Sequence, residues 1–303
     1  TGAHNWHPMA FNPDTGLVYI PVNEIPFFYD KTRNVEDSKS FWNIGYDAAA
    51  GWPVEYPAGT LDAVRDLDGG SLLAWDPVKA EPRWAVPFPL PLNGGVLSTQ
   101  AGLVFQGNKF GEFVAYDAET GERLWADKLV GNAAAAPMTY EIDGEQYLSV
   151  LSGWGSVSSL IAGFTYGEAK SKEPARVITF KLGGDGDMPA ALVDNVVRTP
   201  QSPMFGEPDQ HQLGMQRYAE SCHFCHGAFA VGGGVVPDLR WSALAGNEQA
   251  WDLVVREGAL EKQGMVSFAG RLSKEDTDAI RAYVVQQAWL AVANGDALPP
   301  QDG

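Results

Sequence analysis

The sequence predicts a multidomain β + α protein: a repeated all-β region over residues 1–182, a linker over 183–207 and a small all-α domain from 208 onward. Three observations carry this. Strand-like segments punctuated by Gly, Pro, Asn and Asp fill the first region, with no helical period among them. The stretch 183–207 holds seven Gly and Pro residues and few aromatics, which reads as a connector. Beyond it the apolar spacing turns helical.

Composition agrees. A chain of 303 residues has room for about two domains, and its 34 Gly and ten Trp suit many tight turns between pleated strands. With 21 Lys and Arg against 38 Asp and Glu, the net charge is −17, so neither a nucleic-acid backbone nor an anionic membrane surface is expected as a partner. No apolar run approaches the roughly 20 residues of a membrane span. The opening TGAHNWHPMA has neither the basic start nor the apolar core of a signal peptide, and it starts without Met, so it does not report a compartment.

Taken in order, the expected strands are LVYIPV (17–22), SLLAW (71–75), GLVFQG (102–107), EFVAYD (112–117), QYLSVLSG (146–153) and ARVITFKL (175–182). A repeat runs through them. Ala74-Trp75-Asp76 is followed by Trp84, and Ala115-Tyr116-Asp117 by Trp125, at an offset of 41 residues. Propeller blades recur every 40 to 45 or so residues, and a Trp recurring at one place can wedge between neighbouring sheets. The copies differ where Gly121 faces Ala80. The region is therefore expected to be a partial β-propeller. Helices are expected over Asp209–Ser221, Asn247–Glu257 and Ser273–Trp289, the last opening on a capping-box-like Ser273-Lys274-Glu275-Asp276. Residues 208–290 are expected to fold by themselves.

Cys222-His223-Phe224-Cys225-His226 is C-x-x-C-H, the attachment signature of a c-type haem. Two thiols at this spacing can add to the two vinyl groups of a porphyrin, and His226 then lies beneath the iron as proximal ligand. A zinc half-site needs about four ligands, and only His211, His223 and the two Cys lie near; a thioredoxin-like pair needs a βαβ setting that this region lacks. Met265, in a loop before the C-terminal helix, is the candidate distal ligand, where a thioether raises the potential. Met215 is its rival. Pro237 can orient His226 by accepting its Nδ1–H on the backbone carbonyl, or be a plain turn proline.

The repeat with AYDAETGERLW (115–125), the opening HNWHPMAFNPDTGLVYIP (4–21) and the haem motif behind a Gly/Pro linker together resemble the quinohaemoprotein alcohol dehydrogenases. The resemblance implies a propeller of the pyrroloquinoline quinone (PQQ) dehydrogenase type, a class-I-like cytochrome c domain over 208–303, and a periplasmic setting. It implies that Asn5 and Trp6 touch PQQ near its reactive carbonyls, where an amide donor stabilises charge on a quinone oxygen. Alternatively, Asn5 turns the chain and Trp6 packs between blades. Gly153-Trp154-Gly155 resembles a Gly-rich segment near the cofactor.

The departures from that family are as informative. The chain shows none of the family's adjacent-Cys disulfide, no recognisable Glu and Asn pair for calcium, and no Asp base for the alcohol's proton. No catalytic residue is assigned here; the base and the calcium ligands are expected upstream of Thr1. At about 41 residues per blade, residues 1–182 supply about four blades where a ring of eight needs twice that. The chain is therefore expected to be a C-terminal fragment of an enzyme that oxidises an alcohol to an aldehyde or ketone. Its electrons would pass singly through haem c, with His226 and Met265 on the iron, to an external cytochrome, copper protein or quinone. A relay cytochrome with a non-catalytic propeller and a PQQ-free binding module are the alternatives.

Overall fold

A computed structural model describes residues 2–25, 39, 66, 69–153, 175–188, 190, 198–232 and 236–295. The chain divides into two compact units, one of Thr1–Pro26, Leu61–Ser156 and Ser171–Val193, the other of Phe27–Thr60, Val157–Lys170 and Asp194–Gly303.

Among the described residues the first unit is three antiparallel sheets. Strands β1 (Ala10–Asn12), β2 (Leu17–Glu24), β3 (Gly69–Asp76) and β4 (Glu81–Phe88) lie side by side in chain order. The second sheet repeats that order with β5 (Val96–Ser98), β6 (Leu103–Gly107), β7 (Glu112–Asp117) and β8 (Arg123–Lys128). The third holds β9 (Met138–Ile142), β10 (Glu145–Ser152) and β11 (Arg176–Lys181), with β10 central. These are propeller-type sheets.

The repeat read from sequence is a repeat of structure. Ala74 pairs with Trp84 and Ala115 with Trp125, and a bulge follows each Ala. Asp76 closes its turn by accepting the N–H groups of Val78 and Lys79 at 3.0 Å, and Asp117 accepts those of Glu119 and Thr120 at 2.9 Å. An Asx turn of this kind holds the backbone while the last turn residue goes left-handed. Gly121 takes that conformation at φ 75°, and its counterpart Ala80 takes it at φ 55°. Trp84 then leans on the next sheet: its indole N–H donates to the Ala118 carbonyl at 3.1 Å, and a Cβ on Gly121 would come within 2.7 Å of its ring. Trp125 meets Phe180 of the third sheet edge-on at 5.3 Å.

Two cores result, one of Leu17, Tyr19, Leu72 and Ala74 against Val104, Val114 and Tyr116, the other of Phe105, Phe113 and Leu129 with Val150. Alternation along β2 and β3 buries every second residue, and of these Leu17, Tyr19, Leu72 and Ala74 enter the first core.

In the second unit α1 (Pro208–Ser221), the one-turn α2 (His223–His226), α3 (Glu248–Val255) and α4 (Lys274–Ala293) surround one core. Helices α1 and α4 cross at Gly214, where a Cβ would stand 2.0 Å from the Ala279 carbonyl oxygen. One turn on, the Tyr218 and Tyr283 rings meet at 5.4 Å. Ser273 caps α4 reciprocally, its hydroxyl accepting the Asp276 N–H at 3.1 Å while the Asp276 carboxylate accepts the Ser273 N–H at 2.9 Å. Residues 198–207 lie against the helices: Trp289 donates its indole N–H to the Ser202 carbonyl at 2.9 Å, and Arg281 stacks on Phe205 at 4.2 Å. Lys39 also belongs to this unit. Its N–H reaches the fully buried Glu220 carboxylate at 3.1 Å, and its carbonyl accepts from Ser221 at 3.4 Å. No helix among the described residues is long and apolar enough to cross a membrane.

Candidate functional site

The C-x-x-C-H motif is a single helical turn: Cys222 closes α1, and the other four residues are α2. The N–H groups of Cys225 and His226 both return to the Cys222 carbonyl, at 3.1 and 2.9 Å. Cys222 is buried in the helical core, Cys225 faces outward, and the two are not bonded to each other. Burial, and then the neighbouring Cys225, push the Cys222 thiol up to about 12. Gly227 follows at φ 76°, and Phe229 and Ala230 are also left-handed, at 56° and 63°, so the chain doubles back beneath the motif. Gly232 makes this return possible, since a Cβ there would stand 2.7 Å from Val236 O and Asp238 N.

That return brings Pro237 to His226, whose Nδ1 lies 3.0 Å from the Pro237 carbonyl. A carbonyl only accepts, so Nδ1 carries the proton and the Nε2 lone pair is left for a metal. Burial lowers the His226 pKa, while the Pro237 carbonyl and the Asp238 charge oppose the shift, and the ring stays neutral as a ligand requires. His223 turns elsewhere, with Nδ1 on the Ala219 carbonyl and its pKa pulled down to about 4 by burial. Met265 is half-buried against the same core, held by its N–H on the Leu260 carbonyl at 3.1 Å and preceded by left-handed Gly264. Met215 is buried within α1. Free thiols one helical turn apart, a His locked in the ligating tautomer and a loop thioether beside an apolar core fit a covalently attached haem. No cluster of three or more His, Cys, Asp or Glu among the described residues is placed to hold a metal ion.

In the sheet unit Asn5 and Trp6 precede β1 and are both exposed, Trp6 at 57%. They lie on the face formed by the segments that lead into the first strand of each sheet. Pro8 O accepts from Val96 N at 2.9 Å, Gly95 N reaches Ala134 O at 3.4 Å, and Ala133 N reaches Asn108 O at 3.4 Å. Sequence reading missed a pattern on this face. His4-Asn5, Leu92-Asn93 and Gly131-Asn132 each put an Asn just before a sheet's first strand, and Leu92 and Gly131 are both left-handed, at φ 60° and 93°. Aligning the second and third sheets by their turns would have found it. Gly153 abuts Gly131, within 3.3 Å of where a Cβ would stand; Trp154 and Gly155 lie outside the described residues. Exposed Asn and Trp side chains on this face suit a planar polar cofactor, with the amide to donate and the indole to stack.

Comparison with known proteins joins the two halves. Residues 57–148 match the family described as glucose/ethanol/alcohol dehydrogenase, beta-propeller domain, and residues 209–284 match cytochrome C oxidase, cbb3-type, subunit III. Quinohemoprotein alcohol dehydrogenase ADH IIB of Pseudomonas putida is 41% identical over 291 residues, covering 95% of this chain and 40% of that protein. The solved structure of ADHIIG from Pseudomonas putida matches with a TM-score of 0.79 at 34% identity, over 97% of this chain and 43% of that one. The enzyme from Comamonas testosteroni matches with a TM-score of 0.69 at 33% identity, over 95% of this chain and 41% of that one. The chain thus spans about two fifths of the length of these relatives. With a PQQ-type propeller region and a cytochrome c region in the same order, the chain belongs to the quinohaemoprotein alcohol dehydrogenase family and corresponds to its C-terminal part.

Proposed function

We propose that this chain contributes the C-terminal blades and the electron-exit unit of a PQQ- and calcium-dependent enzyme. That enzyme would oxidise a small alcohol to an aldehyde or ketone outside the cytoplasm, in the periplasm of a bacterial cell. A quinone cofactor supplies the hydride acceptor in such an enzyme, and a haem supplies a one-electron path outward. Asn5 donates its amide to the cofactor and Trp6 covers it, which positions the cofactor and excludes water on that side. Cys222 and Cys225 bind the haem covalently, His226 and Met265 hold its iron, and the Pro237 carbonyl keeps the His226 Nδ1 protonated. An external cytochrome, copper protein or quinone receives the electrons, and the alcohol's base and the calcium ligands lie outside the residues described.

The haem reading rests on one observation above the others, the 3.0 Å contact that fixes the His226 tautomer directly after the C-x-x-C-H turn. Protein made in a haem-ligating host should keep its colour through denaturation and acid-acetone extraction, and colour that extracts would sink the assignment. Met265→Ala should abolish the Met-to-iron charge-transfer band and lower the reduction potential. If Met215→Ala does this instead, the distal role passes to Met215. Haem reduction by an alcohol in the presence of PQQ and calcium separates the enzyme from a relay whose propeller is inert.

A further inference from the structure

The face that carries Asn5 and Trp6 hides polar groups beneath it that the reading above does not use. His7 is only 5% exposed, Lys109 7% and Asn132 2%. They come from three separate segments: the approach to β1, the β6–β7 turn and the β8–β9 connection. The hydrogen bonds that join these segments gather them, since Ala133 N reaches Asn108 O at 3.4 Å and Lys109 N reaches the Asn93 side chain at 3.2 Å. Close backbone approach tightens the gathering, because a Cβ on Gly107 would stand 2.3 Å from that of Ala133. His7 stacks under Trp6 at 5.4 Å, which ties the group to the exposed pair.

Two of these buried groups have hydrogen-bonding capacity left over. Among the described residues His7 Nδ1 and Asn132 Nδ2 have no partner, although an unmade buried hydrogen bond costs on the order of 1 to 3 kcal/mol. The Lys109 charge is felt at His7, whose pKa burial and then the neighbouring cations lower, and the Asn132 amide belongs to the segment bonded to the Lys109 turn, so donors from all three segments gather where an acceptor carrying negative charge is favoured. Burial of a cation here stands out in a chain of net charge −17. Burial also pulls the Lys109 pKa down to about 7, which a bound anion would reverse.

We propose that His7, Lys109 and Asn132 form an anion-receiving site that takes a carboxylate. The carboxylate belongs either to the quinone cofactor, in which case the inference rests on the reading above, or to a free organic acid. Calorimetric titration of the haem-loaded 303-residue protein with PQQ in one arm and citrate in the other tells these apart. Binding of both points to carboxylates in general, and binding of PQQ alone points to the cofactor's own. In either case Lys109→Met should weaken binding at least tenfold, while Lys109→Arg, which keeps the charge, should stay within about threefold. Asn132→Asp changes no volume and places a repelling charge in the site, so it should weaken binding as well even if Lys109→Met fails to fold. Binding of neither probe overturns the inference, as does unchanged affinity in both Lys109→Met and Asn132→Asp. PQQ binding that ignores all three variants sinks this site but leaves the quinone reading standing. Citrate binding through Lys109 without PQQ binding does the reverse.

Discussion

At the scale of single residues, the two copies of the Asp-closed turn set up a controlled comparison. Gly121→Ala puts a Cβ against the Trp84 ring at a left-handed position, so strain and clash add, and it should cost about 2 kcal/mol or more in urea unfolding. Ala80→Gly, at the matching position, relieves a left-handed Ala and should be neutral to slightly stabilising. Lys109 offers a second test, in pH. Its ordinary value is 10.5 and its folded value about 7, so between these the unfolded chain holds a proton that the folded chain lacks. Stability should therefore climb with pH across that window, by at most about 1.4 kcal/mol per pH unit, and be flat with respect to this group below it. The same curve for Lys109→Met should lack the climb.

At the scale of elements, Gly214→Ala should push α1 off α4 and cost several kcal/mol, because the added methyl meets backbone that cannot rotate away. Ser273→Ala removes one cap bond of α4 and should cost about 1 kcal/mol by thermal unfolding. The same elements show how far sequence reaches. All six strands and all three long helices read from pattern are present, because each is central, amphipathic or capped. The strands that pattern missed, β1, β4, β5, β8 and β9, are all edge strands of their sheets. β1 and β5 are short, β4 carries Pro82 and Pro87, and β9 is exposed along its length, so the apolar alternation is erased there, whereas β11, also an edge, keeps Ile178 and Phe180 on its half-buried face and was legible. The haem motif was legible because its parts, through Pro237, are local. The site under Trp6 was not, since His7, Lys109 and Asn132 meet only through loop-to-loop hydrogen bonds that no single window of sequence contains.

At the scale of the molecule, the helical unit is not closed upon itself in sequence. An excised 198–295 should fold and cycle between redox states, but it would lose the Lys39 N–H that the buried Glu220 carboxylate accepts, while the contacts of that carboxylate with Arg217 and Gln216 remain. Its unfolding free energy should fall by about 1 to 3 kcal/mol relative to the same unit in the whole chain, as differential melting of the haem signal would show. The Lys39 contact also sets an order of events during synthesis. Its partners lie 181 residues apart, and a ribosome adding about 5 to 20 residues per second needs about 10 to 40 s to travel that distance. For that interval Lys39 waits outside the tunnel for a helix that does not yet exist, while the strands on either side of its segment can already pair. The blades can thus be assembled before the haem unit begins, and the part-buried Lys39–Glu220 hydrogen bond closes only once that later helix has been made.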